Sequence, residues 1–454
     1  MRLGKGGVML VSFTLENWKT FKHQATFSME ASRERRGSEH SARLSAMYGS
    51  KRLLPMAALY GPNASGKTSL LEALALIKKL VVFGTNVNQT IPVEGYALDP
   101  DSARSPSRFE IEILKNGLIY RYSLSLSRAF VESERLEIER TRNDELVFDR
   151  QGDAFEFGKA FASARHSFIA EGTRSNQLFL HNAVAQNAVA FAPVFDWFDQ
   201  SLRIEGVGQR NDRFTGMLLR PDFQAFVNDR LYRYNTGAGA VVLEPVAQES
   251  LPIPSQILDD MLQSVPGRDG DTLQISVEGP GSPGFAIYIV VFEGGTPRFK
   301  KVVLEHRRSD GRATRFELAQ ESGGTQRLIE LLPLFFDLAE SPAEGAGCER
   351  VYVIDELERN FHTAITSDLV SSFVESCSQT SRCQLIFSTH DLLLMDRDDV
   401  RRDELWVCEK DNVEGSSLVC VGRHPGTRTD SRIINNYRAG VYGGYPKFRE
   451  KDFG

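Results

Sequence analysis

The stretch ALYGPNASGKTSLLEAL (Ala58–Leu74) constrains the fold more than any other. Gly61 to Thr68 fits G-x-x-x-x-G-K-[ST]. An apolar run (Leu53–Tyr60) precedes it, and Leu70, Leu71, Leu74, Leu76, Ile77 and Leu80 follow at helical spacing. A loop of this kind joins a buried strand to a helix N-terminus, so the chain is expected to be α/β with a parallel sheet. Its glycines let backbone N–H groups curl around phosphates, and the helix N-terminus adds partial positive charge. The expected nucleotide contacts are Gly61, Asn63, Ala64, Ser65, Gly66, Lys67, Thr68 and Ser69. Lys67 would reach the β- and γ-phosphates of ATP, and the Thr68 hydroxyl would bind Mg²⁺.

A phosphate loop needs acidic partners on the neighbouring strand. VYVIDELE (Val351–Glu358) reads as a buried strand with Asp355 at its carboxyl end, where ligands meet an open α/β sheet. Asp355 would hold the metal, and Glu356 would orient or deprotonate the attacking water. ESGGTQR (Glu321–Arg327) opens a helix, so Ser322, Gly323 and Gly324 offer a second anion cradle. IFSTHD (Ile386–Asp391) ends another buried strand, with His390 as a γ-phosphate sensor. The role of His362 is open, and Gln89 is a candidate for the glutamine that senses nucleotide.

The rest of the chain divides by texture. Residues 1–158 read as an N-terminal ATPase lobe with antiparallel strands, including a hairpin at Asn116–Gly117. Residues 159–270 read as an inserted, mostly helical lobe with Phe191, Phe195, Trp197 and Phe198 in its core. Residues 271–454 return to strands and then alternate as a βαβ pattern, the C-terminal ATPase lobe. The net charge of −6 argues against a wholesale basic surface for nucleic acid. The local basic runs Arg33–Arg43, Lys300–Arg308 and Asp396–Arg402 read as solvated faces. No run reaches the roughly 18 apolar residues of a membrane span, and no leader pattern opens the chain, so a cytoplasmic protein is expected. The five cysteines (Cys348, Cys377, Cys383, Cys408, Cys420) form no CxxC pair, and neither a disulfide nor a zinc site is expected.

In this order, the four motifs resemble ABC-type ATPases of the chromosome-maintenance, recombination and repair class. The resemblance implies head-to-tail pairing of two copies, in which Ser322 of one completes the ATP site held by Lys67 of the other. Ser322 lies about 255 residues after Lys67, far more than in a transporter nucleotide domain. FTLENWKTF, LFLHNA, VIDELERNFH, QLIFSTHD, DELWVCEK and the tail YRAGVYGGYPKF are similar to stand-alone bacterial AAA/ABC-like ATPases of the RloA type. These are relatives of the OLD-family and SMC-like ATPases. Val441 stands where that tail carries arginine, and ERNFH lacks the proline that commonly follows its histidine.

The resemblance implies a P-loop NTPase head of ABC/SMC type: a mixed sheet, an antiparallel β subdomain and an inserted helical lobe. It further implies an ATPase, at least a dimer, acting as a nucleotide-switched sensor or scaffold in anti-phage defence. A separately encoded nuclease or toxin would be its effector, and DNA or a phage component a further partner. A DNA recombination or repair ATPase that closes on DNA is the alternative; a transporter subunit is the weakest reading.

Overall fold

The structure is a computed structural model and describes residues 7–206, 213–278, 285–339, 349–411, 413–427 and 432–446. Cys348 and the tail from Lys447 onward lie outside the described residues. The chain forms two compact units. One comprises Met1–Gln209, Glu340–Glu358 and Val370–Gly454; the other comprises Arg210–Ala339 and Arg359–Leu369.

The first unit carries two large sheets. Seven antiparallel strands run in the order Ala154–Phe157, Glu145–Gln151, Val131–Ile138, Leu118–Leu126, Ser107–Lys115, Met9–Glu16, Ala25–Ser28. The hairpin at Asn116–Gly117 is present, with positive φ at both residues (53° and 77°) and Lys115 opposite Leu118. The second sheet runs Leu202–Glu205, Val351–Ile354, Gln384–Ser388, Met56–Tyr60, Leu405–Asp411, Gly415–Cys420. Its first four pairings are parallel and the last is an antiparallel hairpin. Ile354 lies opposite Phe387, and Ser388 opposite Leu59. The segments that follow these three strands therefore emerge at one edge of the sheet.

One apolar core joins both sheets to the helix Lys67–Phe83. Phe13, Ile111 and Tyr122 come from the first sheet, Ala57, Leu59, Val353 and Ile386 from the second, and Leu70, Leu74 and Ile77 from the helix. Phe191, Trp197 and Phe198 are buried in the same core, with Phe195 packed against it. These aromatics are core, as expected, but the core is that of the nucleotide-loop unit. The division at 159 and 270 therefore differs from the observed one: residues 159–209 fall within the first unit, and the second begins at Arg210. Leu202–Glu205, inside the stretch expected to be helical, is an edge strand of the parallel sheet. Two of the basic runs, expected as solvated faces, instead meet each other elsewhere in the first unit. Arg36 hydrogen-bonds Asp398, and Arg401, buried against Asp403, donates to the carbonyls of Glu34 and Arg36.

The second unit has the helices Pro221–Arg233, Ser255–Gln263 and Gly323–Ala339 and, in addition, an antiparallel sheet. Thr296–Arg307 pairs with Ala238–Val246 on one side and with Phe285–Glu293 and Ala313–Glu317 on the other; Thr272–Glu278 completes the sheet. Ala238–Val246 was not expected as a strand, because Gly237, Gly239 and Pro245 read as breaks. Among the described residues no helix is long and apolar enough to cross a membrane. Cys377, Cys383, Cys408 and Cys420 are buried.

Candidate nucleotide site

The phosphate loop occupies backbone space that only particular residues tolerate. Gly61 sits at φ 141° and Gly66 at φ 114°. A Cβ at Gly61 would lie 2.3 Å from the Cys408 carbonyl oxygen, and one at Gly66 would lie 2.7 Å from Ser416 Oγ and 2.9 Å from Thr20 Oγ1. Neither position admits a side chain without displacing the wall behind the loop. Ala64 adopts φ 61°, a left-handed turn at the loop's tip, where Asn63 and Ala64 are exposed.

Lys67 turns back over the loop. Its Nζ donates to the carbonyl oxygens of Gly61 (2.7 Å) and Pro62 (3.0 Å). Burial holds its pKa below the ordinary lysine value, while Cys408, Asp355, Glu356 and Glu358 oppose that shift. Ser65 Oγ is buried with no hydrogen-bond partner, as are Thr20 Oγ1 and Ser416 Oγ beside Gly66. Ser69 is fixed from behind, its carbonyl accepting from Trp18 Nε1 (2.7 Å).

The acidic pair meets the loop across the sheet edge. Thr68 Oγ1 donates to Asp355 Oδ2 (2.9 Å). Ser388 Oγ donates to Asp355 Oδ1 (2.5 Å) and accepts from the Glu356 N–H (2.7 Å). The Asp355 N–H donates to the Glu205 carbonyl (3.1 Å). Glu356 is left exposed at φ 51°, a left-handed conformation that carries strain for a glutamate and that Ser388 holds in place. The His390 N–H donates to Glu358 Oε1 (2.5 Å), while Glu358 Oε2 is buried without a partner. Burial first, and Lys67 second, push the His390 pKa below its ordinary value; Glu358, Glu356 and Asp355 oppose.

These groups fit a magnesium–triphosphate. Thr68 and Asp355 together offer Mg²⁺ one hydroxyl and one carboxylate, the sparse protein ligand set it accepts when phosphates complete the shell. The orphan hydroxyl of Ser65 and the loop-bound ammonium of Lys67 match an anion held by the loop.

The structure thus brings Gly61 to Ser69, Asp355, Glu356 and His390 together at one sheet edge. Ser322, Gly323 and Gly324 belong to the second unit. There Ser322 caps the helix Gly323–Ala339: its Oγ accepts from the Thr325 N–H (3.1 Å), and its carbonyl from Gln326 (3.0 Å). Gly324 leaves room for the Asn360 carbonyl, 2.8 Å from where a Cβ would stand. His362 also belongs to that unit, its Nδ1 accepting from the Ala364 N–H. Gln89 braces its own loop, accepting from the Asn86 N–H through its side chain and from Asn176 through its carbonyl.

Sequence reasoning missed four residues. Ser388 and Glu358 support Asp355, Glu356 and His390, and Thr20 and Ser416 wall the loop. Only Glu358 carried a local signal, as the third acid of the DELE run.

Strand, glycine loop, helix and strand-end acids define a P-loop nucleotide-binding unit. Residues 56–396 match the family described as "AAA domain, putative AbiEii toxin, Type IV TA system", and the chain belongs to that family. The chain is also similar to the SMC head domain from Thermotoga maritima: 14% identity over 91% of this chain and 98% of that one, TM-score 0.34. It is similar as well to an SMC head solved bound to the C-winged helix domain of ScpA: 11% identity over 90% and 97%, TM-score 0.37. No curated protein matches the chain.

Proposed function

We propose that this protein binds ATP with Mg²⁺ and hydrolyses it, and that the cycle switches a sensor or scaffold in bacterial anti-phage defence. The observation that carries the ATPase reading is the hydrogen-bonded chain Thr68–Asp355–Ser388, which continues from Ser388 to the backbone N–H of Glu356 and so fixes the backbone of the proposed catalytic residue beside the proposed metal ligands. Mg²⁺–ATP, when bound, would supply an electrophilic γ-phosphorus for attack by water. Lys67 Nζ leaves the loop carbonyls to balance phosphate charge, Thr68 and Asp355 hold the metal, and Glu356 takes the proton of the attacking water. His390, kept neutral by burial and Lys67, offers a hydrogen bond at the same edge.

Ser322, Gly323 and Gly324 act from a second copy, whose helix N-terminus faces the triphosphate and closes a dimer. ATP then shifts the population from open to closed, and hydrolysis reverses it. The effector is a separately encoded nuclease or toxin, with DNA or a phage component as the trigger. The family's description, which speaks of a type IV toxin–antitoxin system, supports that setting. The test is a paired assay in which purified wild type hydrolyses ATP and cells carrying the system resist phage, and Lys67→Ala abolishes both. Unchanged phage plating with the mutant rejects the defence role; unchanged turnover rejects the ATPase site.

A further inference from the structure

The short strands Ala42–Arg43 and Arg52–Leu53 form an antiparallel pair in the first unit. Ala42 lies opposite Leu53, and both are buried in a small apolar cluster with Met9, Val11 and Ile119. Side chains alternate along a strand, so Arg43 and Arg52, also directly opposite each other, share the outer face. Like charges in that position oppose the pairing. A third arginine joins them. The Ala31 N–H donates to the Arg52 carbonyl (2.9 Å), and Arg33 follows two residues on. All three arginines line one open cavity of about 660 Å³.

No acid lines that cavity, and among the described residues no hydrogen bond or ion pair holds the side chain of Arg33, Arg43 or Arg52. Two flanking cations, by contrast, are balanced. Lys51 also lines the cavity, but its Nζ lies 3.0 Å from Glu139 and 3.2 Å from Glu30. Arg36 pairs with Asp398 (3.1 Å). The uncompensated charge is thus gathered in one place on a chain of net charge −6, which disfavours a long polyanion. Apolar side chains contribute only Ala31 and Leu44, so the cavity offers charge rather than apolar surface. Three guanidinium forks match the oxygens of more than one phosphate. The volume is that of a small-molecule site.

We infer that this cavity binds a small ligand through a diphosphate or longer phosphate chain, held by Arg33, Arg43 and Arg52. Its lining includes no residue of the phosphate loop, and the inference does not rest on the ATPase reading.

The probe is inorganic tripolyphosphate. The readout is phenylglyoxal modification of individual arginines in the wild-type full chain, followed by mass spectrometry. Tripolyphosphate should slow modification of Arg43 and Arg52 several-fold and leave the exposed Arg108, which pairs with Glu16, unchanged. Arg52→Gln should raise the concentration that protects Arg43 about tenfold. Because it also removes a like-charge pair, it should not lower the melting temperature of the free chain. Equal protection by ATP would put the phosphate chain on a nucleoside; protection by tripolyphosphate alone would make it inorganic. Equal protection by orthophosphate, protection by a short DNA duplex at a lower phosphate concentration, no protection at all, or a melting temperature that falls by several degrees in Arg52→Gln would each overturn the site.

Discussion

The phosphate loop and the Ser322–Gly324 turn both end a loop at a helix N-terminus, yet they are built differently. Around the first, hydrogen bonds join segments far apart in sequence: Thr68 to Asp355, Asp355 to Ser388, Trp18 to Ser69. Around the second, among the described residues, Ser322 bonds only as far as Thr325 and Gln326, and the neighbouring Glu321 reaches no farther than His306. One turn carries the Lys67 ammonium, the Thr68–Asp355 pair and the strained Glu356, the groups that in the proposed function would hold and attack a triphosphate within one unit. The other carries a cap and two glycines, which suits a surface that reads a ligand presented to it. Nearby, Arg327 is buried, its Nη1 donating to Glu330 (3.2 Å) and its Nε and Nη2 without partners.

That contrast is broken most severely at Lys67. Lys67→Ala should lower ATP affinity by on the order of 100-fold, because a charge-assisted contact to phosphate disappears; a fluorescent-nucleotide titration reads it. Glu356→Gln should leave affinity within a few-fold while cutting turnover by roughly 10²-fold or more, since a lost general base costs that much. It should also accumulate an ATP-bound dimer on gel filtration. A variant that turns over at the wild-type rate removes Glu356 from the mechanism.

The second turn should respond in the opposite way. Ser322→Arg should leave nucleotide binding unaltered and abolish ATP-dependent dimerisation; equal loss of both would place Ser322 in the same copy's site. Ser322→Ala should cost about 1 kcal/mol through the lost bond to the Thr325 N–H. That corresponds to a fall of a few degrees in melting temperature.

The same contrast governs how much could be read from the chain. Gly61 to Ser69 is contiguous, with spacing that few other structures use, so loop, flanking strand and helix were all visible. Asp355, Glu356 and His390 were visible because apolar strands end just before them. Ser388 was not, since a serine at a strand end has no distinguishing pattern until register sets it beside Leu59 and turns its Oγ toward Asp355. Thr20 and Ser416 lie nearly 400 residues apart in sequence, and only the pairing of their two hairpins, in which the Ser416 N–H donates to the Thr20 carbonyl (2.7 Å), sets them together beside Gly66. Leu202–Glu205 is four residues long and follows a helical run, so periodicity had nothing to detect. Ala238–Val246 is masked by glycine and proline, and tertiary pairing with Thr296–Arg307 overrides that local signal.

The smallest expected effect tests how the first turn is tuned. His390 has a pKa below 6.5, from burial and then from Lys67, and the Glu358 carboxylate is the first group opposing that shift. The imidazole therefore stays neutral to lower pH than an ordinary histidine, and turnover that needs the neutral ring should hold on acidification until the lowered pKa is reached. The folded state's preference for the neutral ring is fully present above the unfolded value and is lost as pH falls through the folded one. Glu358→Gln keeps an acceptor for the His390 N–H but removes the charge that raises the pKa. The acid limb of turnover should then move to still lower pH, with nucleotide affinity unchanged. Glu358→Ala should lose the backbone hydrogen bond as well and lower turnover at every pH. An acid limb that moves upward in Glu358→Gln, or does not move while His390→Ala abolishes it, would show that Glu358 holds the His390 backbone without tuning its ring.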